Sequence, residues 1–271
     1  MMWRDSVKAA REQAERDQLE AQRAAPKVNT ARPQRFVFPT AATPRWTNSL
    51  GMVFVPVPGT KVLFGIWDVR VEDYRAFASA NSWVDGSWRN PGFAQGEDHP
   101  VVNVTWEEAN AFCAWLTRQE RTAGKISASQ SYWLPADAEW SVAVGLNEPG
   151  DGTPKDKDKK IPGVYPWGTA WPPPYGAGNY RKSLKVDDFD YTSPVGSFPA
   201  NRYGLYDLSG NVCQWCEDEY SPGSGTRVLR GASCLSSNHH YMLSSYRFYD
   251  APDYRDYLIG FRVVLADAAS R

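Results

Sequence analysis

Two patterns of hydrophobic and polar residues divide the chain near residue 50. Residues 3–24 are rich in Ala, Glu, Gln and Arg and contain no Gly or Pro, which predicts a helix. Its apolar stripe is thin and consists of Val7, Ala10, Ala14 and Ala21. The thin stripe favours a solvent-exposed extension over residues 1–25, and a docking or oligomerisation helix is the alternative. Pro26 ends this helix, and residues 26–49 are predicted to form an extended linker.

After the linker, short apolar runs alternate with turns over residues 50–268. The strand-like runs are Met52–Val57, Lys61–Ile66 and Ile259–Leu265. Helical spacing of apolar residues is found over Val71–Ala80, after Thr105 and over Ala136–Val144. Residues 147–178 are predicted to be mostly loop. The whole pattern indicates an α+β domain with a few helices and short antiparallel strands.

The helix after Thr105 has a specific start signal. Glu108 follows Thr105 by three residues, the spacing of a capping box in which each side chain accepts a hydrogen bond from the other residue's backbone N–H. One face of this helix carries Ala109, Phe112, Cys113 and Leu116. Cys113 is therefore predicted to be a small buried hydrophobic residue.

Composition narrows the protein class. Phe, Trp and Tyr make up 14% of the 271 residues, so a core built from aromatic rings is expected. The formal net charge of −1 argues against a nucleic-acid-binding surface spread over the protein. No apolar stretch reaches the ~18–20 residues of a membrane helix, and the first residues lack the apolar block of a secretory signal. We therefore expect neither a membrane span nor a nucleic-acid partner.

Seven motifs occur in the order found in a known family. They are GMVFVP from Gly51, HPVVNVTWEEA from His99, WLPADAEW from Trp133, YPWG from Tyr165, SPVGS from Ser193, NRYGLYDLSGNV from Asn201 and GFR from Gly260. Together they resemble the formylglycine-generating-enzyme (sulfatase-modifying factor) family over about residues 50–266. The resemblance implies a C-type-lectin-like fold of that subtype.

The enzymes of this family need two nearby cysteines, which the resemblance places after Gly231. Ser236 and Tyr241 align with the two thiol positions, and neither a hydroxyl nor a phenol replaces a thiolate that binds a soft metal. A related enzyme that joins a thiol to a histidine derivative has an extra iron-binding helical domain, which residues 1–50 do not supply. We therefore expect no catalytic residues and no required cofactor.

Residues 234–258, here called the variable segment, resemble the variable region of proteins diversified by retroelements, which share this fold. In such regions adenine-directed mutagenesis does not produce Lys, Glu, Gln, Met or Trp. None of these types occurs at fifteen candidate positions, which are Cys234, Leu235, Ser236, Ser237, Asn238, His239, His240, Tyr241, Phe248, Tyr249, Asp250, Tyr254, Asp256, Tyr257 and Leu258. The resemblance implies that these residues bind a ligand.

The composition of the variable segment also resembles an antibody paratope. Tyr offers a large contact area at low entropy cost, whereas Ser, Asn and His adapt their hydrogen bonds. The resulting hypothesis is a non-enzymatic binding protein whose partner is a macromolecule such as a cell-surface protein, located in the cytoplasm or on a phage particle. The alternatives are an ordinary loop of a degenerate enzyme, an oxidase with altered chemistry, and a module that interacts through its N-terminal helix.

Two other patterns suggest metal chemistry and have simpler interpretations. Cys213 and Cys216 form a single CxxC pair, which lacks the second pair that structural zinc needs, so buried packing is predicted, with a compartment-dependent disulfide as the alternative. His239 and His240 are neighbours, and in an extended stretch neighbouring side chains point to opposite faces. The sequence therefore predicts that the two imidazoles do not share a metal.

The family resemblance also implies structural calcium, a hard cation that prefers oxygen ligands. Asn179 with the carbonyl of Tyr180, and Asp187 with the carbonyl of Phe189, match one family site. A second family site uses Asn211, but Gln214 replaces its usual Glu, which argues against that site. Asp137 and Glu139 belong to a family motif and are predicted to cap or anchor their helix and not to perform acid–base chemistry.

Overall fold

The structure is a computed structural model, and it describes residues 45–267 and residue 269. The predicted helix over residues 3–24 and most of the predicted linker over residues 26–49 lie outside the described residues. Their roles stay predictions.

The helices form where the apolar spacing predicts them. Over the described residues they are α1 (Val71–Ala80), α2 (Trp106–Thr122), α3 (Asp137–Val144) and the single turn α4 (Pro154–Lys157), with short 3₁₀ helices at Ser87–Arg89 and Lys182–Leu184. The capping box at the start of α2 is confirmed, since the Thr105 hydroxyl accepts from the Glu108 N–H and the Glu108 carboxylate accepts from the Thr105 N–H, both at 3.0 Å. None of these helices has the length and apolar content needed to cross a bilayer.

The strands of the described residues form two sheets. They are β1 (Trp46–Thr47), β2 (Val53–Pro56), β3 (Val62–Gly65), β4 (Gln130–Trp133), β5 (Cys213–Glu219), β6 (Arg227–Arg230), β7 (Phe248–Asp250), β8 (Ile259–Phe261) and β9 (Val264–Asp267). The first sheet has the order β1-β2-β3-β9-β4, and the second has the order β7-β6-β5-β8. All pairs are antiparallel except β5 with β8, which is parallel. The α+β prediction is confirmed.

The terminal strand predicted over residues 259–265 is instead two strands in different sheets. The chain passes from β8 to β9 through Arg262, whose side chain is fully buried. The Arg262 guanidinium donates hydrogen bonds to the carbonyls of Gly65 at 2.7 Å and Tyr206 at 2.5 Å. A run of apolar residues cannot reveal this crossing, because both halves of the run are buried.

The folded domain begins before the predicted boundary at residue 50. Trp46 lies opposite Phe54 in the pairing of β1 with β2. The Trp46 ring lies 5.3 Å from the ring of Phe54 and 6.3 Å from that of Tyr132. The last residues of the predicted linker therefore belong to the first sheet and to its aromatic core.

Aromatic rings join the helices to the second sheet, as the composition predicts. Tyr74 and Phe77 of α1 have ring centroids 5.3 Å apart, and the Tyr74 ring lies 6.1 Å from Phe112 of α2. Phe112 in turn contacts Phe261 of β8 at 5.4 Å. All four side chains are at most 1% exposed. This packing holds β8, and with it the end of the variable segment, on a closely packed support.

Candidate ligand-binding surface

The variable segment connects two strands of the second sheet. It begins after β6, contributes the edge strand β7, and ends at Leu258, directly before β8 starts at Ile259. Strand β7 pairs antiparallel with β6, with Val228 opposite Tyr249. The sheet therefore holds the segment through β6 before it, β7 within it and β8 after it.

The candidate positions differ in exposure. His239 and His240 are exposed. Ten others are partly exposed, namely Leu235, Ser236, Ser237, Asn238, Tyr241, Phe248, Tyr249, Tyr254, Asp256 and Tyr257. These twelve residues are called the surface positions below. Seven of them form the continuous stretch 235–241, and the other five lie within residues 248–257. Two separate parts of the variable segment therefore reach the surface.

Three candidate positions are buried, and their prediction as ligand contacts is corrected. Cys234 is 1% exposed, Asp250 8% and Leu258 9%. Cys234 donates its backbone N–H to the carbonyl of Asn211 at 2.9 Å. Asp250 is the last residue of β7, and Leu258 lies immediately before β8. Side chains at these junctions point into the protein and are not available to a macromolecule.

Between the surface positions lies a buried stretch, Met242–Arg247, in which every residue is buried. Arg247 makes the main polar contacts of this stretch. The guanidinium forms ion pairs with Asp137 at 2.9 Å and with Glu148 at 2.6 Å. Arg230 of β6 pairs with the same Asp137 carboxylate. The network ties the middle of the variable segment to the first turn of α3.

The charges in this network are set by the neighbouring arginines. Burial alone raises the pKa of Asp137, but Arg230 and Arg247 outweigh it and hold the pKa below its usual value. The carboxylate is therefore ionised and acts as an anchor. Glu139 accepts a hydrogen bond from the Ala136 N–H at 2.9 Å, which caps α3. Both residues have the anchoring and capping roles that the sequence predicts.

Ser236 and Tyr241, which align with the family's thiol positions, make ordinary structural contacts. The Ser236 hydroxyl accepts a hydrogen bond from the Ser233 N–H at 3.1 Å. The Tyr241 ring packs against Tyr246 at 5.1 Å and Phe248 at 5.6 Å. Neither side chain supplies the thiol that the chemistry of the family's enzymes needs.

All four cysteines of the chain lie within the described residues, and all are buried without a disulfide. Cys213 and Cys216 pack into different hydrophobic clusters on opposite sides of β5, which confirms the packing prediction. Burial raises the pKa of the Cys234 thiol to about 12 and also raises the pKa values of Cys213 and Cys216. Since metal binding and thiol exchange need a thiolate, these three thiols are unreactive near pH 7.

The two histidines lie together, contrary to the prediction that they point to opposite faces. Their ring centroids are 3.8 Å apart, because residues 239–242 form a turn and not an extended stretch. The ring of Trp171, from the loop that precedes the second sheet, lies 5.5 Å from His239. Trp171 is 41% exposed and extends the surface. The sequence alone does not reveal this contact, because only the fold brings that loop beside the variable segment.

The residues predicted to bind calcium show a mixed fit. Asn179 is buried, and its side-chain oxygen has no hydrogen-bond partner among the described residues, which suits a cation. Both carboxylate oxygens of Asp187, however, accept backbone N–H groups, from Tyr180 at 2.8 Å and Phe189 at 2.9 Å. Burial raises the pKa of Asp187, although these two hydrogen bonds lower it. Calcium binding at this site stays a prediction.

The second family calcium site does not fit this chain. The Gln214 side-chain oxygen accepts hydrogen bonds from the Trp140 indole at 3.0 Å and from Arg262 at 3.3 Å. The Gln214 amide nitrogen donates to the carbonyl of Asp207 at 2.6 Å. The glutamine side chain is thus fully engaged in the core. In addition, no group of three His, Cys, Asp or Glu residues suited to a metal is found over the described ranges.

The sequence of this chain is similar to those of known proteins. The model of the sulfatase-modifying factor enzyme 1-like domain matches residues 38–267. The inactive C-alpha-formylglycine-generating enzyme 2 of Mus musculus is 35% identical over 191 residues, which cover 65% of this chain and 53% of that protein. The formylglycine-generating enzyme of Mus musculus is 29% identical over 227 residues, which cover 72% and 54%. The chain spans about half the length of these curated relatives.

Two solved structures share the fold. PvdO from Pseudomonas aeruginosa superposes with a TM-score of 0.59 and 19% identity, covering 84% of this chain and all of that one. Treponema denticola variable protein 1 superposes with a TM-score of 0.53 and 20% identity, covering 83% and 99%. At these identities the likeness concerns the fold alone. Because the family model matches residues 38–267, the chain belongs to the sulfatase-modifying factor enzyme 1-like family.

Proposed function

We propose that this protein binds a macromolecular ligand without catalysing a reaction, through the twelve surface positions, and that a retroelement diversifies them. The observation that carries the proposal is the division of the variable segment by burial. Twelve of the fifteen candidate positions are at least partly exposed, whereas all six residues of Met242–Arg247, none of them a candidate, are buried. A surface of this kind tolerates many side-chain sets, because exposed substitutions change stability by only about 0.5 kcal/mol each.

The side chains at the surface positions suit recognition. The Tyr249 ring stacks on Tyr220 at 4.0 Å, and the Phe248 ring contacts Tyr246 at 4.3 Å. Rings held in this way lose little further entropy on binding and offer large contact areas. His239 and His240 add polar groups that donate or accept hydrogen bonds.

The thiol chemistry of the family's enzymes has no support in this chain. Ser236 and Tyr241 stand at the aligned thiol positions, and the four cysteines are buried. One relative carries the word inactive in its name, and one protein of similar fold is a variable protein. Both are in keeping with a binding role for this chain.

Sequencing of the gene and its neighbourhood in many isolates tests the proposal. We expect a near-copy of the stretch that encodes the variable segment beside a reverse-transcriptase gene, differing only at adenines. Substitutions are expected at the codons of the surface positions, and the codons of Met242–Arg247 serve as the internal control. Equal variation in both groups of codons, or the absence of a near-copy, would contradict diversification.

A biochemical assay tests the absence of catalysis separately. The purified full-length protein is incubated with copper, a thiol reductant, oxygen and a cysteine-containing peptide, and peptide oxidation is followed by mass spectrometry. We expect no turnover above the metal alone. Protein-dependent conversion of the cysteine would favour the oxidase alternative.

A further inference from the structure

A cavity of about 300 Å³ lies outside the variable segment, between α1 and residues 87–95. Val71 and Arg75 of α1 line one wall, since their spacing of four residues places them on one face of the helix. Arg89 and Phe93 line the opposite wall. The cavity therefore combines charged and apolar side chains from two neighbouring elements.

One wall of the cavity also contacts the proposed ligand-binding surface. The Phe93 ring stacks on Tyr191 with centroids 4.4 Å apart, and the Tyr257 ring packs edge-on against Phe93 at 6.2 Å. Tyr257 is one of the surface positions, and Tyr191 is 41% exposed. A ligand that covers Tyr257 therefore also lies next to the cavity.

The charges around the cavity favour an anion. The Arg89 guanidinium lies over the Trp88 ring at 4.6 Å and has no ion-pair partner among the described residues. Arg75 pairs with Glu97 at 2.5 Å, and both side chains are about half exposed. The described residues that line the cavity thus include two arginines and no acidic residue, and only one of the two guanidinium groups is paired. Guanidinium groups bind carboxylates through paired hydrogen bonds.

Gln95 forms part of the wall of the same cavity. Its amide nitrogen donates to the carbonyl of Pro100 at 3.0 Å and to the hydroxyl of Thr192 at 2.8 Å. Its side-chain oxygen is buried and has no hydrogen-bond partner within the described part of the chain. The amide hydrogen bonds therefore hold Gln95 in place as part of the cavity wall, and its buried oxygen is closed to a ligand.

We propose that this cavity binds an acidic side chain of a polypeptide ligand, with the carboxylate on Arg89 and Arg75. The proposal rests on the proposed function for the statement that the ligand is a polypeptide lying on the surface next to Tyr257. Because these two arginines lie outside the variable segment, the contact is common to every diversified form. It supplies a constant anchor beside a changing surface.

Titration of the ¹⁵N-labelled full-length protein with two short peptides tests this site by NMR. The probes are the acetylated, amidated tripeptides Gly-Asp-Gly and Gly-Asn-Gly, which differ in one charged group. We expect the Asp peptide to give saturable shifts for residues 71–79 and 87–95, and the Asn peptide to bind at least about fivefold more weakly. Equal shifts with both peptides, or shifts elsewhere only, would overturn the proposal.

Three variants assign the binding to the named groups. Arg89→Gln is expected to weaken binding of the Asp peptide about fivefold, and Arg118→Gln, which changes an exposed arginine on α2, is the matched control and should leave it unchanged. Glu97→Gln removes the competing carboxylate and should strengthen binding about threefold. Unchanged affinity in both Arg89→Gln and Glu97→Gln would refute the site. These titrations do not involve the surface positions, so their failure is distinguishable from failure of the proposed function.

Discussion

Residues 235–241 and residues 242–247 are neighbours in the chain and have opposite roles in the fold. Every residue of the first stretch is at least partly exposed, and every residue of the second is buried. The first stretch keeps its course through backbone contacts, such as the hydrogen bond from the Arg181 N–H to the Ser236 carbonyl at 3.1 Å. The second is held by side chains, above all by Arg247. The difference shows how one segment combines side chains that are free to change with side chains that are not.

Replacing Arg247 by Met should have the largest effect. The substitution leaves the Asp137 and Glu148 carboxylates near each other without one of their cations, and breaking a buried ion pair costs about 3–5 kcal/mol. Urea unfolding followed by circular dichroism measures the change in the free energy of unfolding. His239→Ala, in the exposed stretch, is the control and should change it by less than about 0.5 kcal/mol. Similar losses in the two variants would remove the distinction between the stretches.

A smaller effect, dependent on pH, is expected for Asp250→Asn. Burial raises the pKa of Asp250 to about 6, despite the hydrogen bond that it accepts from the Ala251 N–H. A raised carboxyl pKa stabilises the fold below the unfolded-state value of about 4, and this stabilisation is lost as the pH rises to about 6. Relative to the unchanged protein, the Asn variant should therefore gain about 1–2 kcal/mol between pH 4 and pH 7, allowing for partial solvent screening.

Unfolding by urea at several pH values measures this gain. Asp151→Asn, which changes an exposed carboxylate in the loop before α4, is the control and should change the free energy of unfolding by less than about 0.5 kcal/mol at each pH. A pH-independent difference for Asp250→Asn would contradict the buried position assigned to this residue and would indicate an exposed side chain.

The smallest effect is expected when several surface positions change together. The triple variant Ser237→Tyr, His239→Asp, His240→Ser alters one partly exposed and two exposed residues. Its free energy of unfolding should differ from that of the unchanged protein by less than about 1.5 kcal/mol, the sum of three exposed substitutions. The matched control is Cys234→Tyr, which inserts the same ring at a buried position and should destabilise strongly. A triple variant as unstable as this control would contradict a surface built for diversification.

Local sequence patterns determined the helices and much of the chemistry of this protein. The capping box of Thr105 and Glu108 and the helix Val71–Ala80 follow from residue types and spacing within a few positions. Such features depend on residues a few positions apart, which interact whatever the rest of the chain does. The resemblance to the family placed Ser236 and Tyr241 at its thiol positions, so the lack of thiols there was readable from the sequence.

Only the tertiary structure decided which of the candidate positions reach the surface and what lies beside them. Cys234, Asp250 and Leu258 are buried because they sit where the segment joins the sheet, and Trp171 and Phe93 reach the surface from loops distant in sequence. Composition could not separate these groups, since the same residue types suit both an exposed and a buried position. Burial depends on contacts between residues far apart in the chain, and those contacts exist only once the two sheets and their helices have packed.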